Sequence, residues 1–94
     1  MPASSDPATT VEQVVTLARH LHARPAGQVV RAAARFPDTT IELGRGGRTA
    51  SARSILAVMG LGAVAGDEVR IRAAGADPVD ASAAVAAILV AAEE

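Results

Sequence analysis

The segment EVRIR, from Glu68 to Arg72, does most to limit the folds open to this chain. Val69 and Ile71 alternate with Arg70 and Arg72, a period of two that fits a strand with one apolar and one solvated face. The chain must supply elements that cover the apolar face of such a strand. Its 94 residues are enough for one small domain with one core. Half of them (50%) are hydrophobic but only 1% are aromatic, so the core is built from Val, Ile, Leu, Met and Ala with one phenylalanine, Phe36.

The other elements follow from period and punctuation. Residues 1–10 (MPASSDPATT) are small, polar and proline-containing. They are expected to form a disordered tail, leaving residues 11–94 as the domain. Val11 to Leu17 sets Val11, Val15 and Leu17 among polar positions and predicts a strand, the Val14-Val15 pair blurring the alternation. From Ala23 to Phe36, the residues Ala26, Val29, Val30, Ala33 and Phe36 recur at helical spacing, with Arg24, Gln28, Arg31 and Arg35 on the other side. Pro37-Asp38 stops this helix.

TTIEL and RTASA flank GRGG, the pattern of a β-hairpin with a glycine turn. Ser54 to Met59 is a short apolar segment bounded by Gly60 and Gly62, a helix started by Ser51 or Ser54. Asp77-Pro78-Val79-Asp80 is a strong helix start, with an Asp N-cap, proline at the first position and a second acid near the positive end of the dipole. Ala84, Val85, Ile88, Leu89 and Ala92 are the expected buried stripe of that last helix. The order β-α-β-β-α-β-α predicts a two-layer, open-faced α+β sandwich, a four-stranded mainly antiparallel sheet with three helices on one face.

Several functions are disfavoured at once. A formal net charge of -1 and the lack of stacking aromatics argue against nucleic acid. With no cysteine there is no disulfide, thiolate nucleophile or cysteine-based zinc site, and with no lysine there is no Schiff base or P-loop. The N-terminus lacks the basic and apolar regions of a signal peptide, and no apolar run is long enough for a bilayer, so a cytoplasmic location is expected. GLGAVAG, from Gly60, resembles a dinucleotide fingerprint, but a helix precedes it and a strand follows, the reverse of what that motif needs. GRGGRTA, from Gly44, is explained as a hairpin turn.

The chemistry concentrates in RHLHARPAGQVV, from Arg19 to Val30. If a helix begins at Ala23, His22 stands at its N-terminus, where unpaired N–H groups and the macrodipole favour an anion. Pro25 falls in the first turn, where its missing N–H costs no helical bond. Arg24 adds a forked donor suited to phosphate oxygens, and imidazole is a good nucleophile near neutral pH. Together these describe a histidine that accepts and passes on a phosphoryl group; the plainer alternative is a helix-capping histidine beside a solvated arginine. His20 is a bystander or tunes its neighbour's charge; no third ligand accompanies the two histidines, so no metal site is expected.

His22-Ala23-Arg24-Pro25-Ala26 resembles the active-site signature of the HPr family, the phosphocarriers of the bacterial phosphoenolpyruvate:sugar phosphotransferase system. Ser54-Ile55-Leu56-Ala57-Val58-Met59-Gly60-Leu61-Gly62, preceded by Arg53, resembles the family's regulatory-serine segment. The spacing of the two motifs and the element order also agree, over residues 11 to 90. The resemblance implies that His22 is phosphorylated on Nδ1 by Enzyme I, with phosphoenolpyruvate as source, and passes the group to the A domain of a sugar-specific Enzyme II. It implies that Arg24 stabilises the transferring charge. Ser54 matches the residue phosphorylated by a serine kinase in some bacteria, a state that favours catabolite-control partners.

Ile55, Leu56 and Met59 match the family's apolar docking patch, although a short helix also needs core residues. Gly27 and Arg31 are further expected partner contacts, and the Arg31 and Arg35 face suits acidic surfaces. No cofactor is expected, and nothing demands more than a monomer. This sequence departs from the family at His20, where glycine is usual, and at Gly27, where Thr, Ser or Ala is more common. Two other readings stay open: a carrier for a non-sugar branch (nitrogen regulation or a dihydroxyacetone kinase) and a regulatory binding module of HPr fold.

Overall fold

The computed structural model describes residues 10–91. The expected tail therefore lies outside the described residues, except for Thr10, which opens the first strand. In chain order the elements are β1 (Thr10–Thr16), α1 (Ala23–Ala34), β2 (Thr39–Arg45), β3 (Arg48–Ser51), α2 (Ile55–Met59), β4 (Glu68–Gly75) and α3 (Pro78–Val90). The four strands form one sheet in the order β1-β4-β2-β3, and all three pairings are antiparallel.

β4 lies inside the sheet, paired with β1 on one edge and β2 on the other. Val69, Ile71 and Ala73 are buried under the helices, while Glu68, Arg70 and Arg72 face solvent. β1 and β2 pair with it so that Arg72 stands opposite both Glu12 and Glu42 on the open face, with Glu12 3.3 Å away. In β1 the Val14-Val15 ambiguity resolves as Val14 out on the open face and Val15 partly buried against the core. The hairpin turn is confined to Gly46-Gly47, and Gly46 takes φ 58°, which only glycine adopts cheaply.

The helices bury small aliphatic faces. α1 buries Ala26, Gly27, Val29, Ala32 and Ala33. It ends at Ala34 rather than Phe36, where the chain tightens as the Phe36 N–H turns back to the Ala33 carbonyl at 3.0 Å. Val30 is only half-buried, so the stripe centres on Val29 and Ala33. In α3 the buried residues are Ala81, Ser82, Val85 and Leu89. The expected stripe is thus shifted: Ala84 and Ile88 are partly buried, and Ala92 lies outside the described residues. Ser82 is tolerated inside because Gln13 donates to its hydroxyl.

The start of α3 also differs in detail from the expected cap. Asp77 occupies the N-cap position and Pro78 the first helical position, but the Asp77 carboxylate makes no capping bond. Its N–H instead donates to the buried Thr39 hydroxyl at 3.1 Å, pinning the β4–α3 turn to the start of β2. No helix among the described residues is long and apolar enough to cross a membrane.

Candidate functional site

His22 is the N-cap of α1, with φ -91° and ψ -165°, and its imidazole makes no capping hydrogen bond. The ring is exposed, so the plain capping role does not account for it. The His22 carbonyl accepts the Ala26 N–H at 3.0 Å, the first bond of the helix. Pro25 falls in the first turn and forfeits no intrahelical bond there. α1 carries no acidic residue in its first turn, which leaves the positive end of its dipole to an anion brought from outside.

The segment before His22 is fastened to the loop between α2 and β4. Leu17 donates to the Asp67 carbonyl at 2.9 Å, Gly66 to the Leu17 carbonyl at 2.9 Å, and Leu21 to the Ala63 carbonyl at 3.0 Å. Leu21 is buried while His20 and His22 are exposed, the alternation of an extended chain. Arg24 is exposed. With Arg19 it lines a cleft of about 150 Å³ whose apolar walls include Leu21, Pro25, Ile88 and Leu89. Two arginines therefore line one cleft beside the start of α1.

Ser54 is the N-cap of α2, the second of the two expected starts, and its Oγ accepts the Ala57 N–H at 3.1 Å. Within α2 only Val58 is buried. Ile55, Leu56 and Met59 are exposed at 42%, 81% and 37%, which settles the choice between core and surface in favour of surface. Arg31 is exposed on α1, as expected. Gly27 is not: it is buried, and the Arg31 Nη1 would lie 3.7 Å from a Cβ placed there.

Three structural roles were not evident in the sequence. Arg53, met as the basic neighbour of Ser54, donates to the carbonyls of Ala33, Phe36 and Thr39 at 2.9, 2.8 and 2.6 Å. It thereby satisfies the end of α1. Arg45 and Asp67 shape the GLGAVAG loop, which runs from the C-cap of α2 to β4 as expected of a connection. The Nδ1 of His20 accepts the Ala65 N–H at 3.2 Å. Apart from the local Val64–Asp67 bond, these contacts join residues 14 or more apart in sequence, beyond the reach of i,i+3 or capping patterns.

An open antiparallel sandwich with an exposed histidine at one helix start and an apolar patch on a second, short helix is a small module that presents its chemistry on its surface. Residues 9–91 match the family model described as the PTS HPr component phosphorylation site. The crystal structure of phosphocarrier protein HPr from Bacillus anthracis is similar, at TM-score 0.77 and 34% identity over 85% of this chain and 96% of that one. HPr from Thermoanaerobacter tengcongensis matches at TM-score 0.72 and 30% identity, over 85% and 89% of the two chains. The catabolite repression protein Crh of Bacillus subtilis, described as a domain-swapped dimer, matches at TM-score 0.69 and 36% identity over 80% and 85%. The chain belongs to the HPr family of phosphocarrier proteins.

Proposed function

We propose that this protein accepts a phosphoryl group on Nδ1 of His22 from Enzyme I, with phosphoenolpyruvate as the original source, and passes it to the A domain of a sugar-specific Enzyme II. The single observation that carries this reading is the exposed imidazole of His22 at the N-cap of α1, with no capping duty. In the transfer, the Nδ1 lone pair forms a P–N bond as the bond from phosphorus to the donor breaks. The incoming charge meets the positive end of α1, and Arg24 stabilises it by position and charge rather than by covalent chemistry. Passing the group on is the same step reversed onto a new acceptor.

Ile55, Leu56 and Met59 form the docking patch, and Arg31 offers a cation to acidic partner surfaces. Ser54 is the site at which a serine kinase would modify the protein, within that patch. The protein works in the cytoplasm as a monomer and needs no cofactor or metal of its own.

A second reading, a regulatory module that binds a catabolite-control factor and transfers little phosphate, draws support from the similarity to Crh. His22, Arg24 and Pro25 are all present here, which favours the carrier. Intact-mass analysis after incubation with phosphoenolpyruvate and Enzyme I separates the two. One acid-labile phosphoryl group on the wild type, absent from His22→Ala, is the expected result. No label on either, with an Enzyme I active on another carrier, would overturn the carrier reading, and label persisting in His22→Ala would move the chemistry elsewhere.

A further inference from the structure

His20 stands two residues before the proposed acceptor, and its ring has a definite partner. The Ala65 N–H donates to Nδ1 at 3.2 Å across 45 residues of sequence, from the α2–β4 loop to the segment before α1. For Nδ1 to accept this bond the ring proton must sit on Nε2, the tautomer that the contact requires. We propose that His20 is a positioning residue for His22, whose clasp on the Ala65 amide holds the segment between β1 and α1 in the shape that presents the acceptor ring. The proposal rests on the phosphocarrier reading of His22.

Backbone bonds secure the two ends of the segment, at Leu17 through Asp67 and Gly66, and at Leu21 through Ala63. Residues 18–20 between them belong to no helix or strand, and the Ala18 N–H reaches the Leu89 carbonyl of α3 at 3.4 Å. His20 fastens this stretch to the same loop, and Leu21, buried between two exposed histidines, directs both imidazoles to the solvent side. The loop is a firm anchor, because the Asp67 carboxylate ties it to Arg45 and closes on the Val64 N–H at 2.9 Å. A reacting group fixed before its partner arrives loses less orientational freedom in the encounter.

The test uses the full chain, with two variants. In nitrogen-15-labelled protein at mildly alkaline pH, long-range imidazole correlations report the His20 tautomer, and exchange of the Ala65 amide proton reports the clasp. The expected result is the Nε2–H tautomer and Ala65 exchange roughly three- to tenfold slower in wild type than in His20→Ala. His20→Ala should lower kcat/KM for phosphoryl acceptance from Enzyme I by roughly the same three- to tenfold. His20→Asn, whose Oδ1 can accept from the same amide but cannot carry a phosphoryl group, should restore both. A proton on Nδ1, unchanged Ala65 exchange in His20→Ala, or wild-type transfer by His20→Ala would each overturn the proposal. A wild type that takes no phosphoryl group would overturn the carrier reading and this role with it, and the Ala65 exchange data would still show whether the clasp exists.

Discussion

The Arg45 guanidinium meets the Asp67 carboxylate at 2.8 Å through Nε, while its Nη1 donates to the Leu61 carbonyl at 3.1 Å. The same carboxylate oxygen accepts the Val64 N–H. One ion pair thus ties the end of β2 to the loop that fastens the segment before His22. The sheet, the loop and the proposed acceptor are mechanically continuous through these two residues.

That arrangement has a pH signature. The Val64 N–H, and after it Arg45, hold the Asp67 carboxyl below its ordinary range. A carboxylate with a depressed pKa in the folded state contributes stability in full above the unfolded-state range, near about pH 4. The contribution is lost as pH falls from there through the folded value. Asp67→Asn removes the charge but keeps an oxygen for Val64. Its melting temperature should lie below that of wild type at neutral pH, and the gap should close on acidification below about pH 4. A gap constant across that range would show that charge is not what Asp67 supplies.

Ser54 can be tested for its structural role apart from any modification. Its Oγ caps a helix of only five residues, Ile55–Met59. Ser54→Ala should cost about 1 kcal/mol, read as a lower urea midpoint at unchanged slope. Ser54→Asp, which offers a carboxylate oxygen to the Ala57 N–H, should recover most of the loss. An alanine variant as stable as wild type would mean that burial of Val58 alone holds α2 in place.

These contacts mark where sequence reasoning succeeded and where it ran out. EVRIR was legible as a strand because its two faces differ completely, and α1 because Arg24, Gln28, Arg31 and Arg35 mark its wet side. α3 gave no such contrast: with alanine and valine all round, its period could not fix which residues face inward, and the stripe came out shifted. Asp77 looked like a cap because capping is local, whereas the contact it makes, N–H to Thr39, crosses 38 residues. His22, Arg24 and Ser54 stood out as candidates because the motifs that carry them are contiguous. Arg45, Arg53 and the Ala65 partner of His20 act across the fold and leave no mark on their sequence neighbours.

Gly75 separates backbone strain from lost contacts. It adopts φ 132°, and a Cβ there would run into the Asp38 carbonyl and lie 3.0 Å from the Thr39 Cα. Gly46 also has positive φ, at 58°, but nothing lies within 4 Å of its would-be Cβ. Gly75→Ala should therefore cost about 3 kcal/mol or more, strain and collision together, against about 1 kcal/mol for Gly46→Ala. Chemical denaturation of the two variants gives the comparison. Equal losses would mean that the β4–α3 turn relaxes away from Asp38.

The large apolar residues of α2 divide into Val58, which holds the fold, and Ile55, Leu56 and Met59, which are exposed. Val58 is fully buried, and Val58→Ala should cost about 2 kcal/mol from lost transfer and the cavity left behind. Leu56 is 81% exposed and has little to lose on unfolding, so Leu56→Ala should leave stability within about 0.5 kcal/mol of wild type. If Leu56 is an anchor of the docking patch, the same change should weaken association with Enzyme I by roughly tenfold or more, a hot-spot effect. Titration calorimetry of wild type and Leu56→Ala, paired with their urea midpoints, measures both quantities on the same samples. Unchanged affinity would move the docking surface off α2 and toward the arginine face of α1.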